Sequence, residues 1–189
     1  MAITINGTGS ITGVSVGGLP DGIVDTDMLA TDAVTAAKIG SLPSGSILQV
    51  VSGSTGTIAA MASTSYADTN LSTTITPKQA NSNILVIVDQ RTYVSSSGQG
   101  FGLRIMRNTT ALHIPTEDNN GPFDWYFAAT DRHIRATLTF MDSAVTYTLG
   151  DTLTYKTQGL AYTASGVTFQ PTSSVENSTS YITLMEVAE

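Results

Sequence analysis

The chain has 189 residues, enough for one domain of ordinary size and a short appendage. Hydrophobic residues make up 41%, but only 12% are charged, and the formal net charge is −7. An acidic surface repels phosphate backbones and anionic lipid, which argues against nucleic acid and membrane as partners. The absence of cysteine excludes a disulfide framework and thiolate metal sites.

Serine and threonine take the place of the missing charge, at about a quarter of the residues, and Thr suits the water-facing side of strands. The first residues have no basic segment followed by an apolar one, so no secretory signal is expected. No window approaches the roughly 18 apolar residues of a membrane span.

Residues 1–20 are rich in Gly. Ile3 and Ile5, then Val14 and Val16, alternate with Thr and Ser between repeated glycines. So few large apolar side chains cannot form a core unaided, which suggests an arm that orders against something else. Residues 32–39 suit a short helix, with Thr31 as N-cap, Asp32 in its first turn and Gly40 beyond its end. Ile23, Ala30, Val34 and Ala37 could share a seam between chains, or the segment could be a fraying Ala-rich linker. Asp25, Asp27 and Asp32 lack the spacing of a calcium loop. Pro43, Gly45 and the serines around them mark a boundary between residues 1–43 and 44–189.

From Ile47 onward the pattern is that of strands. Residues 47–51 are apolar apart from Gln49, residues 57–62 are weaker, and residues 71–76 are Thr-rich and end at Pro77. Residues 84–88 (Ile-Leu-Val-Ile-Val) form the longest unbroken apolar run. Length and β-branching favour a central strand, covered on both faces, over a short buried helix. That strand continues through Tyr93 to a turn at residues 95–100. Residues 101–107 alternate, with Phe101, Leu103 and Ile105 on one face and Arg104 on the other. Residues 108–122 read as a long polar loop.

Residues 123–128 are aromatic. Residues 133–141 alternate most cleanly, with Ile134, Ala136, Leu138 and Phe140 inward. After a turn at residues 149–151 come Leu153, Tyr155 and Thr157, then a short strand at Val167 and Phe169. The last strand, residues 180–187, has Ile182 and Leu184 on one side and Tyr181, Thr183 and Met185 on the other. The pattern predicts an all-β protein, with a jelly-roll-like β-sandwich C-terminal domain behind an extended, partly helical N-terminal arm.

Four stretches resemble the virion appendages of tailed bacteriophages, the tail-fibre and fibre-like structural proteins. They are D-T-D-M-L-A-T-D-A-V-T-A-A-K-I at residues 25–39, S-G-S-I-L-Q-V-V at 44–51, T-T-I-T-P-K-Q-A-N-S-N-I-L-V-I-V at 73–88, and S-T-S-Y-I-T-L-M-E-V-A at 178–188. Residues 114–130 depart from the family pattern. The resemblance implies a homotrimer located in the virion and assembled in the host cytoplasm. It implies an N-terminal segment docked to other virion proteins and a β-rich head for host attachment. A capsid head-fibre or decoration protein would use the same parts.

The sequence shows no catalytic constellation, and no cofactor or metal is expected. His113 and His133 have acidic neighbours in Glu117 and Asp131, but proximity along a strand or loop does not make ligands converge. A hydrolase reading finds no repeat and no paired carboxylates fixed across a cleft. The candidate receptor contact is the loop and aromatic segment containing Glu117, Asp118, Asn119, Asn120, Trp125 and Tyr126. Aromatic faces pack on sugar C–H groups while Asn and Asp take hydroxyls. The competing reading places Phe123, Trp125 and Phe127 on the inward face of a strand and Asp124 and Tyr126 outward. The same segment would serve a host-surface glycan partner or a freestanding carbohydrate-binding module.

Overall fold

The computed structural model describes residues 42–113, 125–163, 165–171 and 178–189. A unit boundary falls between Leu42 and Pro43. The expected helix at 32–39, the attachment arm and Asp25, Asp27 and Asp32 lie outside the described residues.

The described chain is all-β, with eleven strands and no helix. In chain order they are β1 (Ile47–Thr55), β2 (Ala59–Met61), β3 (Ala67–Ile75), β4 (Asn83–Val94), β5 (Gln99–Arg107), β6 (Thr110–His113), β7 (Trp125–Phe127), β8 (Arg132–Asp142), β9 (Leu153–Ala161), β10 (Val167–Phe169) and β11 (Ser180–Val187). Two antiparallel sheets pack as a sandwich. One runs β1-β11-β4-β10-β2, with β8 on the other edge of β4. The other runs β3-β9-β5-β6, with β7 also on β5.

The strand β4 is central, and its inward residues Ile84, Val86 and Val88 are completely buried. They meet Phe101, Leu103 and Ile105 of β5, Tyr155 of β9 and Ile182 and Leu184 of β11 in one core. The opposite face of β4 differs from the expectation of full cover. Leu85 and Ile87 are only half-buried, because a two-layer sandwich covers each sheet on one side.

Further along β4 the inward positions turn polar, and Gln90 and Thr92 are still fully buried. Gln90 Oε1 accepts a hydrogen bond from Thr157 Oγ1 at 2.9 Å, and Gln90 Nε2 donates to Ser180 Oγ at 3.2 Å. The hydroxyls of Thr69 and Thr157 are 2.5 Å apart. This network links β4 and β11 in one sheet to β3 and β9 in the other. Buried polar groups need such partners.

The expected polar loop at 108–122 contains a strand. Asn108 adopts φ 50° and, with Thr109, turns the chain tightly so that Arg107 pairs with Thr110 in β6. Asn tolerates that left-handed conformation.

The outward face of the six-stranded sheet carries a lateral apolar row. Val50 lies opposite Met185, Met185 opposite Leu85, and Leu85 opposite Met141. Ile47 pairs with Val187 at one end of the face, and Tyr181 lies opposite Asp89 further along it. Ile47, Val50, Met141 and Tyr181 are four of the eight exposed large apolar side chains among the described residues. Among the described residues, the charges on this face stand further along the strands, at Arg91 and at an Asp89–Arg135 ion pair of 2.7 Å.

Candidate functional site

The aromatic segment forms β7, which pairs antiparallel with β5: Phe101 with Trp125, Gly100 with Tyr126, and Gln99 with Phe127. Period-two alternation then separates the rings. Trp125 stacks on Phe101, with centroids 4.8 Å apart and planes at 14°. Phe127 lies 6.4 Å from the same ring. Both are half-buried against the core. Tyr126 points the other way and is 60% exposed. Gly100 permits this close pairing, since a Cβ there would stand 2.5 Å from the Trp125 carbonyl oxygen.

Tyr126 meets Tyr162 edge-to-face, with centroids 6.0 Å apart and planes at 88°. The segment bearing Tyr162 is held by the buried Gln99 side chain. Gln99 Nε2 donates to Thr163 Oγ1 at 2.5 Å and to the Ser165 carbonyl, while its Oε1 accepts from the Thr163 amide at 3.2 Å. The Tyr162 amide also donates to the Gly100 carbonyl at 2.9 Å. Two phenols are thus displayed on a fixed support. The exposed Tyr126 ring is a surface on which the C–H face of a polar ligand could pack. Glu117, Asp118, Asn119 and Asn120 lie outside the described residues, as do Phe123 and Asp124. Of the six candidate contacts the structure places two, Tyr126 on the surface and Trp125 against Phe101.

The histidines stand apart. His113 on β6 is half-buried, its ring 6.4 Å from Phe140. His133 on β8 stacks on Tyr93 at 4.5 Å, and Tyr93 Oη donates to Asp131 Oδ1 at 2.6 Å. That hydrogen bond, with burial and the Asp131 charge, raises the Tyr93 phenol above its ordinary value. Among the described residues, no group of three or more His, Cys, Asp or Glu is placed to hold a metal ion. Among them, too, no helix is long and apolar enough to cross a membrane.

The fold places the chain among antiparallel β-sandwich proteins. No protein-family model and no curated protein matches it. Among solved structures it is similar to dimeric latent PorU from Porphyromonas gingivalis, at 10% identity over 78% of this chain and 14% of that chain, with a TM-score of 0.34. It is also similar to the infectious bursal disease virus Gx strain structure, at 13% identity over 75% of this chain and 37% of that chain, with a TM-score of 0.26. The chain spans well under two thirds of either. Likeness of this degree carries neither function nor partner.

Proposed function

We infer that the chain is a structural protein of a tailed-phage virion, a trimeric tail fibre or fibre-like appendage. Residues 1–43 dock to other virion proteins, and the sandwich is a head that binds the host surface. The observation that carries the reading is the outward face of the six-stranded sheet. A row of Val50, Met185, Leu85 and Met141 is an apolar surface on a chain otherwise rich in Thr and Ser. Apolar surfaces of this kind mark association. The chain carries −7 overall, yet among the described residues the Asp89 carboxylate on this face is paired with Arg135, which limits acidic repulsion between copies there. The resemblance of four separate stretches to virion appendages supports the same conclusion, and the exposed Tyr126 supports a host-surface role.

Light scattering on the 189-residue protein tests it. Three chains per particle are expected. Val50→Asp with Met141→Asp places two carboxylates in the apolar row and is expected to raise the dissociation constant at least about tenfold, since each 1.4 kcal/mol is a factor of ten. The far-ultraviolet β signal should be unchanged, because both side chains are already exposed. A single-chain mass for the unaltered protein at all concentrations would overturn the reading.

A further inference from the structure

We propose that a half-open cavity between β1, β3 and β9 binds a neutral saccharide unit, at a site distinct from the aromatic end. The cavity arises from a register shift. Asp68 pairs with Gln158 and Ser72 with Lys156, so residues 69–71 of β3 face Thr157 alone on β9. Asn70 takes up the extra length with φ 66°. Thr69 and Leu71 turn into the core, and the arch between them and the end of β1 borders a half-open cleft of about 340 Å³. That lies in the range of small-ligand pockets, about 300–1,000 Å³.

The walls combine polar side-chain ends with a comparable share of apolar surface, as a sugar ring's hydroxyls and C–H faces require, and the floor is fixed. Leu71 and Thr157 form the floor, and the Thr157 hydroxyl is locked into the Gln90 network. Around it stand Thr55, Thr57, Asp68, Asn70, Ser72 and Lys156. Asp68 Oδ2 accepts from Lys156 Nζ at 2.8 Å, and its Oδ1 accepts from Gln158 Nε2 at 2.7 Å. Burial pushes the Asp68 carboxyl up. The hydrogen bonds from Lys156 and Gln158 and the Lys156 charge outweigh it and hold the group below the usual carboxylate range. Asn70 Nδ2 donates to the Ile58 carbonyl at 3.0 Å, which leaves its Oδ1 as an acceptor for a bound group. Thr55 Oγ1 accepts from the Thr57 amide at 3.1 Å and keeps its own proton to donate.

Dense hydroxyl, amide and carboxylate groups match the alternating donors and acceptors of a sugar ring. The one cation in the cavity wall is already neutralised by Asp68, so an anionic ligand finds no free charge there, and the net −7 of the chain opposes its approach. A single carboxylate also separates this cavity from a glycosidase cleft, which needs two. The site is complete within one chain and stands or falls independently of the virion reading.

The test is saturation-transfer NMR and titration calorimetry on the 189-residue protein. The probes are glucose, galactose, mannose, N-acetylglucosamine and the acidic N-acetylneuraminic acid. At least one neutral sugar is expected to bind, with a dissociation constant of about 1 mM. Asn70→Gly keeps the left-handed backbone while deleting the amide. Combined with Ser72→Ala it should weaken binding about tenfold with the fold intact. No neutral sugar binding at up to about 50 mM would overturn the proposal. So would binding of the acidic sugar alone, or binding lost on Tyr126→Ala and retained in the cavity variant.

Discussion

Gly159→Ala is expected to lower the thermal unfolding midpoint by about 10 °C, from a cost of about 3 kcal/mol. Gly159 lies on β9, facing across the sandwich to Phe169 of β10. A Cβ there would overlap Phe169 Cε2 and lie 2.5 Å from Cζ. The ring has nowhere to go. Phe169 is completely buried and meets Phe101 edge-on, with centroids 5.7 Å apart. Phe101 is itself pinned by Trp125 at 4.8 Å. One methyl group would therefore push the sheets apart or force a chain of aromatic rings off their rotamers. Phe169→Leu would open space at the same point, so the double variant should lose at least about 1 kcal/mol less than the sum of the two single variants. Additive losses in a denaturant-unfolding cycle would show that the two sheets do not depend on this contact.

That contact was invisible in the sequence, where Gly159 reads as one more glycine in a Thr-rich strand. What sequence reasoning reads well is local. The bounds of β4 follow from turn residues on either side of an apolar run, and the inward set of β8 follows from alternation alone. Parity also held signals that a search for hydrophobic residues passes over. In β11, Ile182 and Leu184 set the inward phase, which puts Glu186 on the core side. Its carboxylate is fully buried and accepts hydrogen bonds from the Lys78 and Gln79 amides at 2.9 and 3.0 Å and from Gln49 Nε2 at 2.6 Å. The same phase carries Gln90 and Thr92 inward on β4. Two features broke the pattern. The strand β6 has only one large apolar residue, Leu112, and follows a tight turn set by Asn108. The first half of β3 has none before Leu71, and the shift at Asn70 interrupts its period. The cavity could not be read at all, because Thr55, Asp68 and Lys156 come from three strands and meet only through sheet pairing. In the aromatic segment, alternation separated Trp125 from Tyr126, while Glu117, Asp118, Asn119 and Asn120 lie outside the described residues.

The two proposals differ in what they ask of the molecule. The apolar face needs a partner chain, whereas the cavity and the Tyr126–Tyr162 pair need only the sandwich. Joined in one particle, three copies would present a weak site three times, and linked sites can gain about 10²–10⁴ in avidity without a stronger single contact. A low affinity per chain is therefore compatible with firm attachment to a surface bearing many copies of one sugar.

Asp142→Ala is expected to cost about 3 kcal/mol, because it would leave a largely buried cation, Arg107, without its partner and the buried Tyr155 hydroxyl without its acceptor. Arg107 and Tyr155 are opposite residues on β5 and β9 of one sheet. Asp142 ends β8, which belongs to the other. Its Oδ2 accepts from Arg107 at 2.5 Å and from the Tyr155 hydroxyl at 2.8 Å, with Asp142 and Tyr155 both buried. Replacing both charges, as Arg107→Met with Asp142→Leu, should cost less than Asp142→Ala alone, since no unpaired charge remains. The triad also makes a prediction about alkali. Burial, then the hydrogen bond to Asp142 and its charge, push the Tyr155 phenol far above its ordinary value of 10.0, with Arg107 opposing. As pH rises past 10 the unfolded chain releases this proton and the folded chain keeps it. The unfolded state then binds fewer protons, so stability falls by about 1.4 kcal/mol per pH unit from this group, while below pH 10 its contribution is constant. Tyr155→Phe is expected to cost about 1.5–3 kcal/mol at neutral pH through the lost hydrogen bond to a charged group. It should also remove this group's share of the alkaline slope, so the stabilities of the two proteins converge above pH 10. Parallel profiles in urea-unfolding titrations from pH 7 to pH 11 would show that the Tyr155 proton is not held by the fold.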